Sequence, residues 1–421
     1  INTICVQGGY EPKNGEARVV PIVQSTTFKY ESSQQMGDLF DLKEAGYFYT
    51  RLANPTNDAV ANKICQLEGG VAAILTSSGQ AANFYAILNI ANAGDHVISS
   101  SAIYGGTYNL IAKTMKTMGI ETSFVDPDIS AWELEAKFKP NTKLVFGETL
   151  SNPSLRIFDI EKFANVAHKH GVPLIVDNTF PTPVNCQPIK WGADIVTHST
   201  TKYMDGHGSG VGGAIVDAGN FDWMAHANKF PGLCTPDESY HGIVYAERFG
   251  KEGAFIIKAT AQLMRDLGSI QSPQNSYLVN LGLESLHVRM REHSKNGQAV
   301  AEFLANHEKV LSVSYPGLKT DKYHTLAEKY LPDGCSGVVS FEIKGGRDAA
   351  EKFMTKLKLI AIETHVADAK SCCLCPSITT HRQLTDKQLA VAGVPAGLIR
   401  VSCGIEDAEN LVEDIKQALE A

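Results

Sequence analysis

Between residues 71 and 216, short runs rich in β-branched residues alternate with stretches whose apolar residues recur at helical spacing. No other feature restricts the fold as much. Strands of four or five residues, each followed by a helical stretch, predict parallel strands joined by crossover helices, with both faces of the sheet covered. The predicted strands are 71–75, 96–99, 143–146, 172–176, 194–197 and 213–216; helical stretches between them include 80–92, 104–118 and 160–170. Ahead of them, Asn54-Pro55-Thr56 predicts a helix start, with Val60, Ile64 and Leu67 on its buried face and Gly69-Gly70 at its end.

Residues 1–53, punctuated by Gly8-Gly9, Pro12 and Pro21, hold no period and read as an irregular arm. After about residue 255 the rhythm changes. A long helix is expected over 277–304, strands near 338–343 and 398–402, and a closing helix capped by Asp407 with Leu411, Ile415 and Leu419 buried. The expected architecture is α/β: the arm 1–53, a large domain 54–258 around a mostly parallel sheet, and a smaller C-terminal α/β domain 259–421.

Charge and composition narrow the function. Lys plus Arg number 38 against 46 Asp plus Glu, a net charge of -8 with no basic cluster, so the chain lacks a footprint for nucleic acid. No apolar run approaches the ~18 residues that would suggest a membrane helix. Nine cysteines without a tight framework read as reduced thiols of a cytosolic protein.

Ligands of open parallel sheets bind at the carboxyl ends of the strands, and five such places are unusual. Strand 71–75 runs into Thr76-Ser77-Ser78-Gly79-Gln80, a turn that suits a phosphate at a helix N-terminus or is simply a tight turn with a capping serine. Asp177 ends an apolar strand, where a carboxylate needs a cation or a donor; a helix cap or turn aspartate is the alternative. Lys202 follows strand 194–197 behind Ser199-Thr200-Thr201, as a functional amine or as a surface lysine. Asp177 and Lys202 are 202 − 177 = 25 residues apart, which allows neighbouring strands and one shared cleft. Tyr104 beside Gly105-Gly106 can lie flat on a planar ligand or be a core tyrosine. Arg400, inside the apolar strand 398–402, suits a ligand carboxylate or a structural salt bridge.

Together these elements outline one ligand: a phosphate at a helix N-terminus, a planar ring stacked by Tyr104, a ring nitrogen met by Asp177 and an aldehyde that condenses with Lys202. That ligand is pyridoxal 5'-phosphate. Tyr49-Thr50-Arg51, Asn54-Pro55-Thr56, Ser78-Gly79-Gln80, Tyr104-Gly105-Gly106-Thr107, Asp177-Asn178-Thr179 and Ser199-Thr200-Thr201-Lys202 resemble the Cys/Met-metabolism branch of fold-type-I pyridoxal-phosphate enzymes. The resemblance runs almost end to end. It implies Lys202 as covalent lysine and a base, with Tyr104 the second candidate for proton transfer. It also implies Asp177 as ring-nitrogen partner, Gly79, Gln80, Ser199 and Thr201 around the phosphate, and Thr179 and Asn152 near the ring. Glu148 lies close by, and Ser371 and Arg400 are expected at the substrate carboxylate. Tyr49 and Arg51 are expected to reach a neighbouring subunit's phosphate, which implies a homo-oligomer, a dimer or a dimer of dimers.

Asp368-Ala369-Lys370-Ser371 and Thr379-Thr380-His381 point, within that branch, to sulfhydrylases acting on an O-acylated homoserine. Gly106, where γ-lyases of the branch carry Cys, counts against a lyase; a γ-lyase or cystathionine γ-synthase is the alternative. Cys372-Cys373-Leu374-Cys375 departs from the aliphatic residues and His usual there, which leaves open a thiol- or metal-binding protein on an inherited scaffold. Three other signals are set aside. Gly208-Ser209-Gly210-Val211-Gly212-Gly213 matches G-x-G-x-x-G but leads into a strand, against a dinucleotide site. Cys372 and Cys375 lack a second ligand pair for zinc, and the 13 His show no H-E-x-x-H.

Overall fold

The computed structural model describes residues 1–380, 382, 389 and 394–421; His381 lies outside them. Seven strands form the larger sheet: β1 (Ala72–Thr76), β2 (His96–Ser100), β3 (Glu121–Val125), β4 (Thr142–Glu148), β5 (Leu174–Asp177), β6 (Ile195–His198) and β7 (Gly213–Asp217). Their order is β1-β7-β6-β5-β4-β2-β3. Only β7 is reversed, antiparallel to both β1 and β6, while every other pair is parallel. Every residue of β5 and β6 is buried, as an apolar strand covered on both faces requires. The sequence pattern missed β3. It is an edge strand opening with the exposed Glu121 and then Thr122-Ser123, polar residues that break any apolar alternation.

The helix α3 (Pro55–Glu68) forms as its sequence dictates. The Asn54 side chain accepts from Thr56 N at 2.9 Å, Pro55 occupies the first turn, and Gly69 closes the helix at φ 78. The arm is less irregular than expected. It holds α1 (Asn2–Gln7), packed on α3, and α2 (Ser33–Phe40), capped by Ser32; neither is long enough for a period to register.

The second sheet contains β8 (Val310–Ser314), β9 (Val338–Ile343), β10 (Ala361–Ile362), β11 (Cys372–Leu374) and β12 (Leu398–Ser402), in the order β10-β11-β12-β9-β8. All its pairs are antiparallel except β10–β11. The helix Tyr245–Lys258, kinked at Gly250 (φ 63), packs on β1 and β7 and continues through Ala259–Met264 to Leu267, ending at Gly268 (φ 73). The predicted long helix spans Pro273–Ala305. Along it, Gly282 leaves no room for a Cβ against the carbonyls of Met204 and Asp205, and further on Asn296 donates to Gly404 O at 3.0 Å. In the last helix, Ala408–Glu420, Leu411, Ile415 and Leu419 are buried, but the Asp407 side chain makes no capping bond.

Candidate active site

Asp177 and Thr197 are paired residues of β5 and β6, so Asp177 and the loop carrying Lys202 leave adjacent strands at the same edge. β1 ends beside them and turns into α4 (Gly79–Leu88), capped by Ser78, whose Oγ accepts from Ala81 N at 3.1 Å. A Cβ on Gly79 would stand 2.6 Å from Ser199 Cβ. The first turn of α4 therefore approaches the Ser199 loop closely with only a glycine between them, and amides at such a helix start suit an anion. Gln80 Oε1 accepts from Thr107 Oγ1 at 2.9 Å, and Thr201 Oγ1 exchanges hydrogen bonds with the peptide groups of Gly212.

Asp177 is buried and fixed at both oxygens. Oδ2 accepts from Asn83 Nδ2 at 3.0 Å; Oδ1 accepts from Thr179 N at 3.1 Å and Thr179 Oγ1 at 2.6 Å. Thr179 Oγ1 also accepts from Ser199 N at 2.9 Å, tying the carboxylate to the lysine loop. Beside Asp177 in the β4–β5 register stands Glu148. Burial, and then the neighbouring Asp177 charge, push its carboxyl well above the usual range. Its Oε2 accepts from Tyr104 N at 2.6 Å and so anchors the start of α5 (Gly105–Asn109). Tyr104 is 49% exposed, which excludes a core tyrosine, and its ring lies where a Cβ on Gly106 would stand.

Lys202 Nζ stands 3.3 Å from His365 Nδ1. Burial, and then repulsion by Arg400, lower its pKa from 10.5 to about 8. Arg400 comes from β12 of the other sheet and is buried. Its Nη1 donates to Asn152 Oδ1 at 3.0 Å and its Nη2 to His365 O at 3.0 Å; both partners are neutral, and among the described residues Nε has none. Among the described residues no salt bridge accounts for this arginine. A buried guanidinium with neutral partners gains from an anionic group brought to it.

Three expected residues stand apart. The Ser371 hydroxyl donates to Glu406 Oε2 at 2.8 Å and accepts from Gly404 N at 2.7 Å. Tyr49 and Arg51 line an open cleft of about 450 Å³ with Tyr240 and Arg265, the Arg51 guanidinium lying 5.1 Å from the Tyr49 ring centre. Residues absent from the sequence reading complete the cluster. Asn83, one turn past Gly79, accepts from Thr197 Oγ1 at 2.5 Å while holding Asp177. Glu68 Oε1, fully buried, accepts from Asn178 Nδ2 at 2.9 Å and meets His198 Nε2 at 2.6 Å, bracing the residues that follow Asp177 and precede Ser199. His365 carries no local signal, because it lies in the loop between β10 and β11.

A lysine and a carboxylate at the carboxyl edge of a mostly parallel sheet, beside a helix N-terminus open to an anion, define the class of pyridoxal-phosphate enzymes. The chain belongs to the Cys/Met metabolism PLP-dependent enzyme family, whose sequence profile matches residues 2–420. It is 43% identical to the O-acetyl-L-homoserine sulfhydrylase of Leptospira meyeri, over 99% of this chain and 96% of that one. It is 44% identical to the homocysteine synthase of Schizosaccharomyces pombe, over 99% and 97%. Among solved structures it resembles the Campylobacter jejuni protein described as an O-acetylhomoserine (thiol)-lyase, in which a lysine carries pyridoxyl phosphate. That likeness has a TM-score of 0.95 at 38% identity and covers 100% of this chain and 99% of the other. The cofactor is pyridoxal 5'-phosphate. No described helix is long and apolar enough to cross a membrane.

Proposed function

We propose that this enzyme catalyses γ-replacement on O-acetyl-L-homoserine, sulfide displacing acetate to give L-homocysteine, with methanethiol as an alternative donor giving methionine. The observation that carries an amino-acid substrate is Arg400, a buried guanidinium with only neutral partners in the same cluster as Lys202. The acyl group and nucleophile follow the named relatives. Gly106, where γ-lyases of the branch typically carry Cys, supports replacement over elimination; a Cβ there would stand 2.4 Å from the Tyr104 ring.

In this reading Lys202 holds the cofactor covalently, Asp177 meets its ring nitrogen, and the first turn of α4 with Gly79, Gln80, Ser199 and Thr201 takes the phosphate. Thr179 aims Asp177, and Asn152 aims Arg400 at the substrate carboxylate. The bound cofactor supplies an electron sink for negative charge at the substrate's α-carbon. Loss of a γ-leaving group needs protons removed at Cα and then Cβ, so one mobile base must serve both. Lys202 Nζ, on a flexible four-carbon stem, has that reach, and the exposed Tyr104 phenol is a second group able to move a proton. Glu148, kept neutral, holds the peptide of Tyr104 in place.

Tyr49 and Arg51 serve a neighbouring subunit's phosphate, making the working form a homo-oligomer, and the setting is cytosolic. The open cleft that the two residues line supports the first point. The deciding experiment offers the enzyme O-acetyl- or O-succinyl-L-homoserine with and without sulfide. Homocysteine from the acetyl ester and sulfide is the expected product; sulfide-independent 2-oxobutanoate as the main product would refute the reading.

A further inference from the structure

We propose that His365, oriented by Asp368, is a positioning residue that holds the Lys202 amine and passes its proton to solvent. The inference rests on the assignment of Lys202 as the base. His365 Nδ1 faces Lys202 Nζ at 3.3 Å, and on its other side Nε2 is buried, has no hydrogen-bond partner among the described residues and lies 3.9 Å from Asp368 Oδ2. An imidazole that accepts from an amine on Nδ1 carries its own proton on Nε2, and a carboxylate on the Nε2 side favours that tautomer. The ring reaches the surface in part, as does Asp368, with side-chain exposures of 21% and 14%. The peptide of the same residue is fixed as well, its carbonyl accepting from Arg400 Nη2 at 3.0 Å and Cys372 Sγ at 3.2 Å.

The titratable groups nearest the ring are Lys202, Asp368, Glu363 and Asp205, and those nearest the lysine are Arg400 and the Cys372 thiol, which burial pushes up to about 11. Burial and the Lys202 charge keep the imidazole from protonating in its usual range, so near neutrality it is an acceptor. The relay balances. A proton on Lys202 Nζ moves to Nδ1 as the proton on Nε2 passes to Asp368 once ring and carboxylate close the 3.9 Å between them; the part-exposed carboxylate hands it to water, and the lysine regains a free electron pair.

Two substitutions separate holding from relaying: His365→Asn keeps an acceptor near Nδ1 but cannot pass a proton on, and His365→Leu does neither. The first readout is the pH midpoint at which cofactor-free full-length protein takes up added pyridoxal phosphate. It is expected to stay near that of the unaltered protein in His365→Asn and to fall in His365→Leu, where the charged amine loses its acceptor. The second is exchange of the α-proton of L-methionine in deuterated water by the holoenzyme, followed by proton NMR. It should fall about 100-fold in both variants, the low end of what positioned proton transfer contributes, and fall less in Asp368→Asn. Exchange at the unaltered rate in His365→Asn, with cofactor content unchanged, overturns the relay, and equal midpoints in the Asn and Leu variants overturn the holding role. Exchange that persists in Lys202→Ala would instead refute the assignment of Lys202 as the base.

Discussion

Loading of pyridoxal phosphate onto cofactor-free protein should follow the unprotonated fraction of Lys202, because only the free amine attacks an aldehyde. Burial and Arg400 move that lysine from 10.5 to about 8. A difference of about 2.5 pKa units means roughly 300-fold more neutral amine at pH 7 than an ordinary lysine offers. The direction is fixed by the sign of the shift: the rate should rise with pH, reach half its maximum near 8 and flatten above about 9. Stopped-flow absorbance across pH 6–10 measures it directly. Replacing Arg400 by Met removes the second cause and leaves the first, so the midpoint should rise yet remain below 10.5. A rate still climbing tenfold per pH unit between 8.5 and 10 would refute the account of a desolvated lysine.

Gly79→Ala places a methyl group against Ser199, and cofactor affinity measured by equilibrium dialysis should drop at least about tenfold, the cost of a misplaced helix-terminus anion site, with the circular dichroism spectrum unchanged. Arg400→Lys loses the fork shared between Asn152 and the His365 carbonyl; kcat/KM for O-acetyl-L-homoserine should fall by about 2–3 kcal/mol of binding, seen as a raised KM in steady-state assays. Glu68→Ala leaves the buried His198 Nε2 without its partner and Asn178 Nδ2 with the Cys186 carbonyl alone, so urea unfolding should show a loss of about 1–3 kcal/mol, whereas Glu68→Gln should lose less.

Much of the larger sheet is written locally. The runs Leu174-Ile175-Val176 and Ile195-Val196 declare buried strands by being apolar throughout, and Asn54, Pro55 and Gly69 mark the ends of α3 with their own side chains and backbone. Edge strand β3 and two-residue β10 are not legible in this way, because what stabilises them is the neighbour they pair with. The same division runs through the site. Asp177 and Lys202 sit at strand ends, where position alone makes a polar residue conspicuous. Asn83 looks like any helical polar residue until β5 and β6 are laid beside α4, and His365 gains a meaning only when the second sheet closes on the first.

The helix Pro273–Ala305 touches both halves of the cleft: Gly282 seats the backbone just beyond Lys202, and Asn296 holds the backbone just beyond Arg400. The two points are 296 − 282 = 14 residues apart, about 21 Å of rigid rise. The helix thus acts as a ruler between the turn that carries Lys202 and the segment that follows Arg400. One inserted residue between these points would displace one seat by about 1.5 Å and turn it about 100°. A residue gained or lost between 282 and 296 would therefore shift the turn that carries Lys202 relative to the segment that follows Arg400, two groups that the proposed chemistry needs at a fixed spacing.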